Sequence, residues 1–284
     1  MAVAARIHAA LFCVVIASLA ACAGMQQPTA DRDPLLAAAI ADPLRSEANR
    51  ARDGARHPYE TLRAFGLRPD ETVVEIAPGG GWYTEILAPY LRERGHYVAA
   101  LYVDRGNTAA ESEARLAQAR ERFDAKFTAQ PERYGRIEVG VLGVDGLAGA
   151  GAPGSADAVL TFRNIHNWIA EGSFDTALHA FFVVLKPGGV LGVEEHRALP
   201  GTPLDRIIES GYVPEAYVIE HARAAGFELV ARSETNANPR DTKDHPNGVW
   251  SLPPTLRGGA VDREQFLAIG ESDRMTLTFV KPRH

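Results

Sequence analysis

A glycine-rich stretch of the sequence, VVEIAPGGGWYTEIL at residues 73–87, has the residue types that bind a nucleotide or another anion. An apolar segment ends at Glu75, three glycines follow at 79–81, and a helical segment begins after them. Glycine lets a backbone approach a ligand closely, and the first turn of a helix carries partial positive charge. The stretch predicts a strand, a ligand-binding turn and a helix at the carboxyl edge of a sheet.

The spacing within this turn excludes two nucleotide fingerprints. A dinucleotide turn requires glycine or alanine where the chain has Thr84, and a P-loop requires a Gly-Lys-Ser/Thr sequence that is missing. What remains is an acid, Glu75, followed at alternate positions by an alanine and two glycines. Pro78 restricts the preceding Ala77 to extended backbone geometry.

Four segments, in this order along the chain, resemble the motifs of class I S-adenosylmethionine-dependent methyltransferases. They are the glycine turn, Asp145 in GVDGL, SADAVLTFRNIHNWI at 155–169 and VLKPGGVLGVEEHR at 184–197. The turn and the tail at 238–282 further resemble a group of uncharacterised bacterial methyltransferases. The resemblance covers residues 60–197. It implies a Rossmann-like fold with S-adenosylmethionine as cofactor and a small molecule or an envelope component as substrate.

The resemblance also implies which residues hold the cofactor. In that family an acid after the second strand holds the ribose hydroxyls. Asp104 is the nearby candidate, although it comes a few residues later than usual. Asp145 stands where the family often binds the adenine amino group. The full predicted set is Glu75, Ala77, Gly79, Gly81, Tyr83, Asp104, Asp145 and Arg163.

Strand-like and helical segments alternate through the rest of the chain. Strands are predicted at residues 72–76, 97–103, 137–142, 156–162, 190–194, 227–234 and 275–280. Helices are predicted at residues 83–91, 111–127, 174–185 and 217–225. This alternation is typical of βαβ units in a doubly wound, mostly parallel α/β sheet, here of seven strands. The last two strands are expected to form an antiparallel hairpin.

We expect residues 33–284 to form a single domain with two additions to the sheet. Residues 33–66 predict an N-terminal helical cap, with short helices at 35–40, 44–52 and 59–65. Basic residues at 45–56 are interleaved with acids and predict solvated helix faces. Residues 236–259 form a long loop without periodicity, and such loops are usually functional or disordered. A substrate-contacting lid and a solvated loop both stay open for it.

The loop after the fourth predicted strand holds the candidates for chemistry. Methyl transfer from a sulfonium depends mainly on alignment, and a base matters when the acceptor must lose a proton. An imidazole can accept a proton near neutral pH, so His166 is the candidate base, with a supporting or helix-capping role as the alternative. Asn164 is the candidate for orienting the acceptor, or else a helix cap.

Further polar and aromatic residues are expected near the acceptor. Trp168 fits a substrate platform or the core, and His196 with Arg197 fits the acceptor pocket or pairing with acids. Glu194 and His196 share one face of a strand, as a metal-assisted O-methylation would need, but a single pair is too little and no metal is predicted. The substrate-pocket candidates are Trp168, His196, Arg197, His245 and Trp250.

The N-terminal segment predicts export. Residues 9–21 form an apolar run too short for a comfortable membrane span, typical of a signal peptide at residues 1–21. LAAC, ending at Cys22, resembles the bacterial lipobox. That implies lipidation at Cys22, a tether at 22–32 and a periplasm-facing protein of the outer membrane. A plain secretory signal, an uncleaved anchor and a cytoplasmic location stay open. Both cysteines, Cys13 and Cys22, lie in this segment, which suits an oxidising compartment.

The charge balance narrows the partners. The formal net charge of −6 gives no electrostatic case for nucleic acid or for anionic lipid headgroups. The expected function is therefore a methyltransferase for a small molecule or an envelope component. The alternative is a lipoprotein that keeps the fold as a non-catalytic binding or scaffold module. The sequence indicates no oligomeric state.

Overall fold

The residues described by this computed structural model, 33–102, 108–143 and 146–283, form one eight-stranded sheet. The strands are β1 (Thr72–Ile76), β2 (His96–Leu101), β3 (Ile137–Gly143), β4 (Gly146–Ala148), β5 (Ala156–Phe162), β6 (Leu185–His196), β7 (Glu228–Ser233) and β8 (Arg274–Val280). Their spatial order is β4-β3-β2-β1-β5-β6-β8-β7. Strands β3, β2, β1, β5 and β6 pair in parallel, and β4 and β8 are antiparallel to their neighbours. The predicted doubly wound, mostly parallel α/β fold is confirmed.

Helices precede the sheet and cover its faces. They are α1 (Pro34–Ala41), α2 (Glu47–Arg50), α3 (Asp53–Arg56), α4 (Pro58–Ala64), α5 (Thr84–Leu91), α6 (Ala109–Phe123), α7 (Pro131–Tyr134), α8 (Ile165–Ala170), α9 (Phe174–Val184), α10 (Leu204–Ser210), α11 (Glu215–Ala224) and α12 (Arg263–Ile269). A π-helix follows α6 at Asp124–Thr128, and a 3₁₀-helix lies at Gly248–Ser251. Within the described ranges, no helix combines the length and the apolar character needed to cross a membrane.

Strand β1 is apolar on both faces because elements of the fold cover both sides of the sheet. Val74 and Ile76 pack into one apolar cluster with residues of α9, and Val73 packs into the other with residues of α5. All three are at most 1% exposed. A strand buried on both faces reads as a continuous apolar run, which explains why the sequence of β1 lacks alternation.

The predicted number of seven strands is wrong, because β4 adds an eighth. This strand has only three residues and pairs antiparallel with β3, so it is too short to show a periodic pattern. Gly140 permits the close approach of the chain there, since a Cβ at this position would lie 2.5 Å from the Ala150 nitrogen. The predicted antiparallel pairing of the last two strands is confirmed, with β8 lying between β6 and β7.

Several helix predictions differ from the structure. Residues 44–52 do not form one helix but lead into two single-turn helices, α2 and α3. The predicted helix at 111–127 changes to a π-helix after Phe123, which seats Phe127 against the glycine turn. Residues 186–189, within the VLKPGG segment, lie inside β6, which has a register shift against β5. Helix α12 was not predicted.

The cap is fastened to the glycine turn by tryptophan and arginine side chains. Trp82 Nε1 donates to the Asn49 carbonyl oxygen (2.9 Å), and the guanidiniums of Arg45 and Arg56 lie 5.3 and 4.7 Å from the Trp82 ring centroid. The prediction of solvated faces is wrong for these arginines, which are 1% and 4% exposed. Their burial is supported by the aromatic face and, for Arg45, by an ion pair with Asp53 (2.7 Å).

The loop at 236–259 is anchored to the domain rather than solvated. Asp241 is buried and accepts hydrogen bonds from Tyr212 Oη (2.9 Å) and from the Asp273 N–H (2.8 Å). His245 Nε2 lies 2.9 Å from the same carboxylate, and Leu252 is fully buried. Buried polar groups with this many partners hold a fixed position. Contact between this segment and a substrate stays a prediction.

Gly81→Ala will destabilise the protein. Gly81 has φ +78°, and a Cβ there would lie 2.1 Å from Phe127 Cζ. Left-handed strain and overpacking together predict a loss of about 2–4 kcal/mol in the free energy of unfolding by urea. Gly80→Ala is the matched control, because nothing lies within 4 Å of a Cβ there and its φ is not positive. Equal stability of the two variants would contradict this assignment.

Candidate functional site

The carboxyl of Glu75 links three elements around the glycine turn, namely β1, α5 and β2. It is fully buried at the end of β1. Its Oε2 accepts hydrogen bonds from Thr84 Oγ1 of α5 (3.0 Å) and from Tyr97 Oη of β2 (2.5 Å). Burial outweighs these hydrogen bonds and raises the pKa of Glu75 to about 7. The side chain therefore fixes the start of α5 relative to β1 and β2.

Three residues of the turn have left-handed backbone conformations, Ala77 with φ +51°, Gly79 with φ +56° and Gly81 with φ +78°. The extended geometry predicted for Ala77 is wrong. Its N–H donates to the Ala100 carbonyl oxygen (2.8 Å), which continues the pairing with β2 before the chain turns away. A left-handed alanine costs about 1–2 kcal/mol, and backbone strain of this kind gathers at ligand sites.

A cavity of about 300 Å³ lies between the cap and the glycine turn, and we call it the cap cavity. Arg52 and Arg56 border it from the cap, and Tyr83 and Arg163 border it from the sheet. A Cβ at Gly79 would have nothing nearer than a carbonyl oxygen at 4.0 Å. Gly79 therefore presents bare backbone to open space. The cap cavity is also bordered by Glu75, Ala77 and Asn164.

A second cavity, of about 200 Å³, is mostly apolar, and we call it the apolar cavity. Its walls include Tyr102, Leu142 and Trp168. Trp168 is fully buried and belongs to the core, yet its Nε1 finds no hydrogen-bond partner among the described residues. An unpaired buried donor costs about 1–3 kcal/mol, and Trp168 both lines the apolar cavity and carries such a donor. Between the two cavities, Gly79 and Asn164 border a further space of about 330 Å³.

Glu194 is the buried acid of the sheet edge beneath the cap cavity. It accepts hydrogen bonds from Tyr83 Oη (2.9 Å) and Arg163 Nη1 (2.8 Å), and Arg274 Nη1 lies 3.2 Å away. Burial alone would raise the pKa of Glu194, but the charges of Arg274 and Arg163 outweigh it and hold that pKa below its usual value. The Tyr83 ring stacks on Phe162 with centroids 3.6 Å apart. The Tyr83 side chain is therefore fixed at both its ring and its hydroxyl, and it forms a rigid wall of the cap cavity.

His166 lies in the first turn of α8 and is held by Glu195. Glu195 is fully buried, accepts the Ile165 N–H (2.6 Å), and its Oε1 lies 3.1 Å from His166 Nδ1. The His166 ring is 5.4 Å from that of His196 and 5.9 Å from that of Trp250. Glu195, and not His166 or Asn164, caps the helix. His166 therefore has one ring nitrogen fixed by a carboxylate.

Asn164 connects the loop after β5 to the end of β1. Its Nδ2 donates to the Ile76 carbonyl oxygen (3.2 Å) and to Thr161 Oγ1 (3.2 Å). Asn164 occupies the N-cap position of α8 without a side-chain capping bond. The capping interpretation of this residue is therefore wrong, and its side chain fixes the loop beside the cap cavity.

Among the described residues, one group could hold a metal ion, namely His166, Glu195 and His196, whose ligand atoms lie within 4.8 Å of one another. The acid in this group is Glu195, while Glu194 is occupied by arginines. Glu195 already accepts from three backbone N–H groups, those of Ile165, His166 and His196. Burial and the charge of His166 lower the pKa of His196 well below its usual value, and His196 Nδ1 lies 2.6 Å from Ser272 Oγ. We assign no metal.

The structure of this chain is similar to those of several solved proteins. No family model matches the chain, and no curated protein matches it significantly. A SAM-dependent methyltransferase from Aquifex aeolicus superposes with a TM-score of 0.52 at 14% identity, over 81% of this chain and 93% of that chain. One from Methanosarcina mazei gives 0.50 at 13%, over 80% and 99%. This chain has the methyltransferase fold.

A solved structure that is not named as a methyltransferase also superposes on this chain. The cyclase SpnF, a 4+2 cyclase, matches with a TM-score of 0.53 at 17% identity, over 81% of each chain. At identities this low the likeness shows the fold alone. The reaction has to be argued from the residues of the site.

Within the methyltransferase fold of this chain, the predicted site residues fall into separate places. Those at the cap cavity are Glu75, Ala77, Gly79, Tyr83, Arg163 and Asn164. Those gathered around His166 are His196 and Trp250. Arg197 pairs with Asp273 (2.9 Å), and His245 lies against Asp241, so both are bound to acids. The missing Cβ of Gly81 faces Phe127 and not a cavity. Cys22, Asp104 and Asp145 lie outside the described residues.

Two arginines of the cap cavity, Arg52 and Arg56, were missed from the sequence. They lie in a segment, residues 45–56, with four arginines and only two acids. That imbalance was the available signal, because a solvated face with matched charges would hold comparable numbers of each. In the structure the excess arginines turn towards the cavity instead of water.

Glu75→Gln will change how stability depends on pH. Because folding raises the pKa of Glu75 from 4.5 to about 7, the protonated acid is favoured in the folded state. Its contribution is complete below pH 4.5 and is lost as pH rises through 7, a fall of about 3 kcal/mol in unfolding free energy. Between about pH 5 and about pH 8, the unfolding free energy measured with urea should fall more in the wild type than in the variant, by about this amount. Exposed Glu93→Gln should keep it, and a wild-type slope in Glu75→Gln would refute the assignment.

Proposed function

We propose that this protein is a S-adenosylmethionine-dependent methyltransferase for a small molecule or an envelope component. The observation that carries the proposal is the strained turn at Ala77 and Gly79, which presents bare backbone to open space at the carboxyl edge of a methyltransferase fold. Ligands of doubly wound sheets bind at this edge. A Cβ at Gly79 would have no side chain within 4 Å, so the space beside the turn is open to a ligand.

The chain's cavities fit the parts of that cofactor. The apolar cavity suits the adenine ring, with Trp168 Nε1 as an unpaired donor to a ring nitrogen. The backbone of Gly79 would admit the methionine tail, while Glu75 fixes the turn from behind. When bound, S-adenosylmethionine supplies a methyl group on a positively charged sulfur. Ribose and adenine contacts from Asp104 and Asp145 remain part of the proposal.

The chain's own residues would position the acceptor and take its proton. The acceptor would supply the electron pair for the new bond to carbon, and the bound cofactor would supply the methyl group and a neutral thioether as leaving group. Alignment supplies most of the acceleration. Asn164, fixed to β1 and β5, would orient the acceptor. His166 would accept the proton, with Glu195 holding its Nδ1 so that Nε2 is the basic nitrogen.

A second candidate function is a ligand-binding or scaffold protein without methyl transfer. The cyclase SpnF matches with a TM-score no lower than those of the methyltransferases, so the fold of this chain is not tied to methyl transfer. Fold alone does not choose between these functions. Binding of the cofactor, tested below, separates them.

We also propose that the protein is a lipoprotein anchored at Cys22 and facing the periplasm. The LAAC sequence supports this, and Asp33, where the described structure begins, follows Cys22 by a short polar segment. Asp33 caps α1 by accepting from the Leu35 N–H (3.0 Å) and accepts from Tyr90 Oη (2.7 Å). The folded domain can thus start directly after a tether. A cytoplasmic location is the alternative.

Calorimetry with S-adenosylhomocysteine tests the enzyme proposal. We expect binding by the wild type and at least a tenfold loss in Gly79→Asn, because the new side chain fills the space that admits the ligand. Asparagine tolerates the left-handed backbone. Gly154→Asn is the matched control, since Gly154 also has positive φ and open space but lies outside the cavities. A folded wild type that fails to bind at millimolar ligand would sink the methyltransferase proposal.

Fractionation tests the anchor. Replacing the thiol in Cys22→Ser removes the atom that would be acylated, so the protein should move from the membrane fraction to the soluble fraction. Cys13→Ser is the control and should leave the protein in the membrane fraction. A Cys22→Ser protein that stays with the membranes would show that lipidation is not its anchor.

A further inference from the structure

The cap cavity is bordered by positive charge from two separate parts of the chain. Arg52 and Arg56 come from the cap, and Arg163 comes from the loop after β5. Arg163 itself has a left-handed backbone with φ +61°, and its N–H donates to the Glu194 carbonyl oxygen (2.7 Å). The cationic lining is therefore built by the fold and not by mobile surface side chains.

The acids of this network do not balance the arginines. Glu271 bonds Arg52 Nε (2.7 Å) and Arg56 Nε (3.2 Å). Glu194 bonds Arg163, and Arg274 bridges both glutamates at 3.2 and 3.1 Å. Four guanidiniums thus share two carboxylates. The remaining acid at the cavity, Glu75, has a pKa raised to about 7 and carries only part of a charge at neutral pH.

Two of the arginines show that the positive charge is not fully met. Arg52 Nη2 is buried and has no hydrogen-bond partner among the described residues. Burial, followed by the charges of Arg163 and Arg52, lowers the pKa of Arg56 to about 9, against the opposing effect of Glu271. A buried unpaired donor and a crowded guanidinium are both relieved by an oxyanion.

We propose that the cap cavity binds a carboxylate or phosphate group of the methyl acceptor through Arg52 and Arg56. The inference rests on the proposed function. The acceptor is the better source of this anion than the cofactor, because S-adenosylmethionine carries an amino group and a sulfonium beside its carboxylate and is cationic overall. A cavity with surplus positive charge attracts a net anion. Guanidiniums bind carboxylate and phosphate with paired N–H donors, which a single lysine does not provide.

Titration with inorganic phosphate and with succinate tests the anion site on the full-length protein at low ionic strength. We expect both to bind the wild type, and Arg52→Gln to weaken them at least tenfold. Arg50→Gln removes the same charge from the same part of the cap, outside the cavity, and should bind like the wild type. Arg52→Lys keeps the charge and the fold but loses the paired donors, so its affinity should fall between those of Arg52→Gln and the wild type.

Two outcomes of this titration overturn the anion site. One is a folded wild type that binds neither phosphate nor succinate at millimolar concentration. The other is an Arg52→Gln protein that binds them as tightly as Arg50→Gln does. Since Arg52 is partly exposed, unlike Arg56, its replacement is the milder change to the folded structure.

A second pair of probes decides whose anion it is. S-adenosylhomocysteine has the carboxylate tail, and 5′-methylthioadenosine lacks it. We expect Arg52→Gln to bind both as the wild type does. A loss for S-adenosylhomocysteine alone would mean that the cavity holds the cofactor's own carboxylate, which overturns the acceptor assignment. A wild type that binds phosphate but neither adenosyl probe would remove the proposed function and the acceptor with it.

Discussion

Two acids at the sheet edge, Glu194 and Glu271, hold the cap in place by sharing four arginines. Arg52 and Arg56 come from the cap, and Arg163 and Arg274 come from the strands and loops of the sheet. This network and the Trp82 contacts together hold the cap beside the glycine turn, with the cap cavity between them. Buried ion pairs recover little of their desolvation cost. The network therefore specifies a position more than it stabilises the fold, and it leaves a surplus of positive charge where a ligand would enter.

Two fully buried glutamates show how strongly neighbouring groups determine the pKa of a carboxyl. Glu75 has only hydroxyl partners, and burial raises its pKa to about 7. Glu194 is equally buried, but guanidiniums hold its pKa below the usual value. The first can therefore be neutral at physiological pH and acts as a fixed joint between β1, β2 and α5. The second stays charged and organises cations. The same edge of the sheet thus contains Glu75, which can be neutral, and Glu194, which stays charged.

Most of the fold was predicted correctly, because strand-like and helical segments alternate along the chain and this alternation is typical of a doubly wound sheet. Alternating strands and helices placed β1, β5 and β8 within a residue or two of their observed bounds. The three-residue β4 and the π-helix were out of reach, since neither leaves a periodic trace. The site was predicted in part. Motif spacing found Gly79 and Arg163, but it could not tell Gly81, which faces Phe127, from Gly79, which faces open space.

The failures at the site share a physical cause, which is that tertiary contacts override local preferences. Arg56 was expected in water because charges usually are, and tertiary packing against Trp82 reversed this. Ala77 was expected to be extended because a proline follows, and pairing to β2 imposed a left-handed turn instead. Each exception lies at the cap cavity. Local preference gives way where a site has to be built.

The two cavities at this edge of the sheet differ in charge and therefore suit different ligand groups. The apolar cavity, with one unpaired indole N–H, suits a flat heteroaromatic ring, whereas the cap cavity suits an oxyanion. The glycine turn lies beside the cap cavity. On the proposed function, an acceptor held by Arg52 and Arg56 would bring its nucleophile towards a cationic sulfur at that turn. The same fold is found in proteins with different reactions. The element that would choose the acceptor is then the cap, because the cap supplies two of the three arginines that border this cavity.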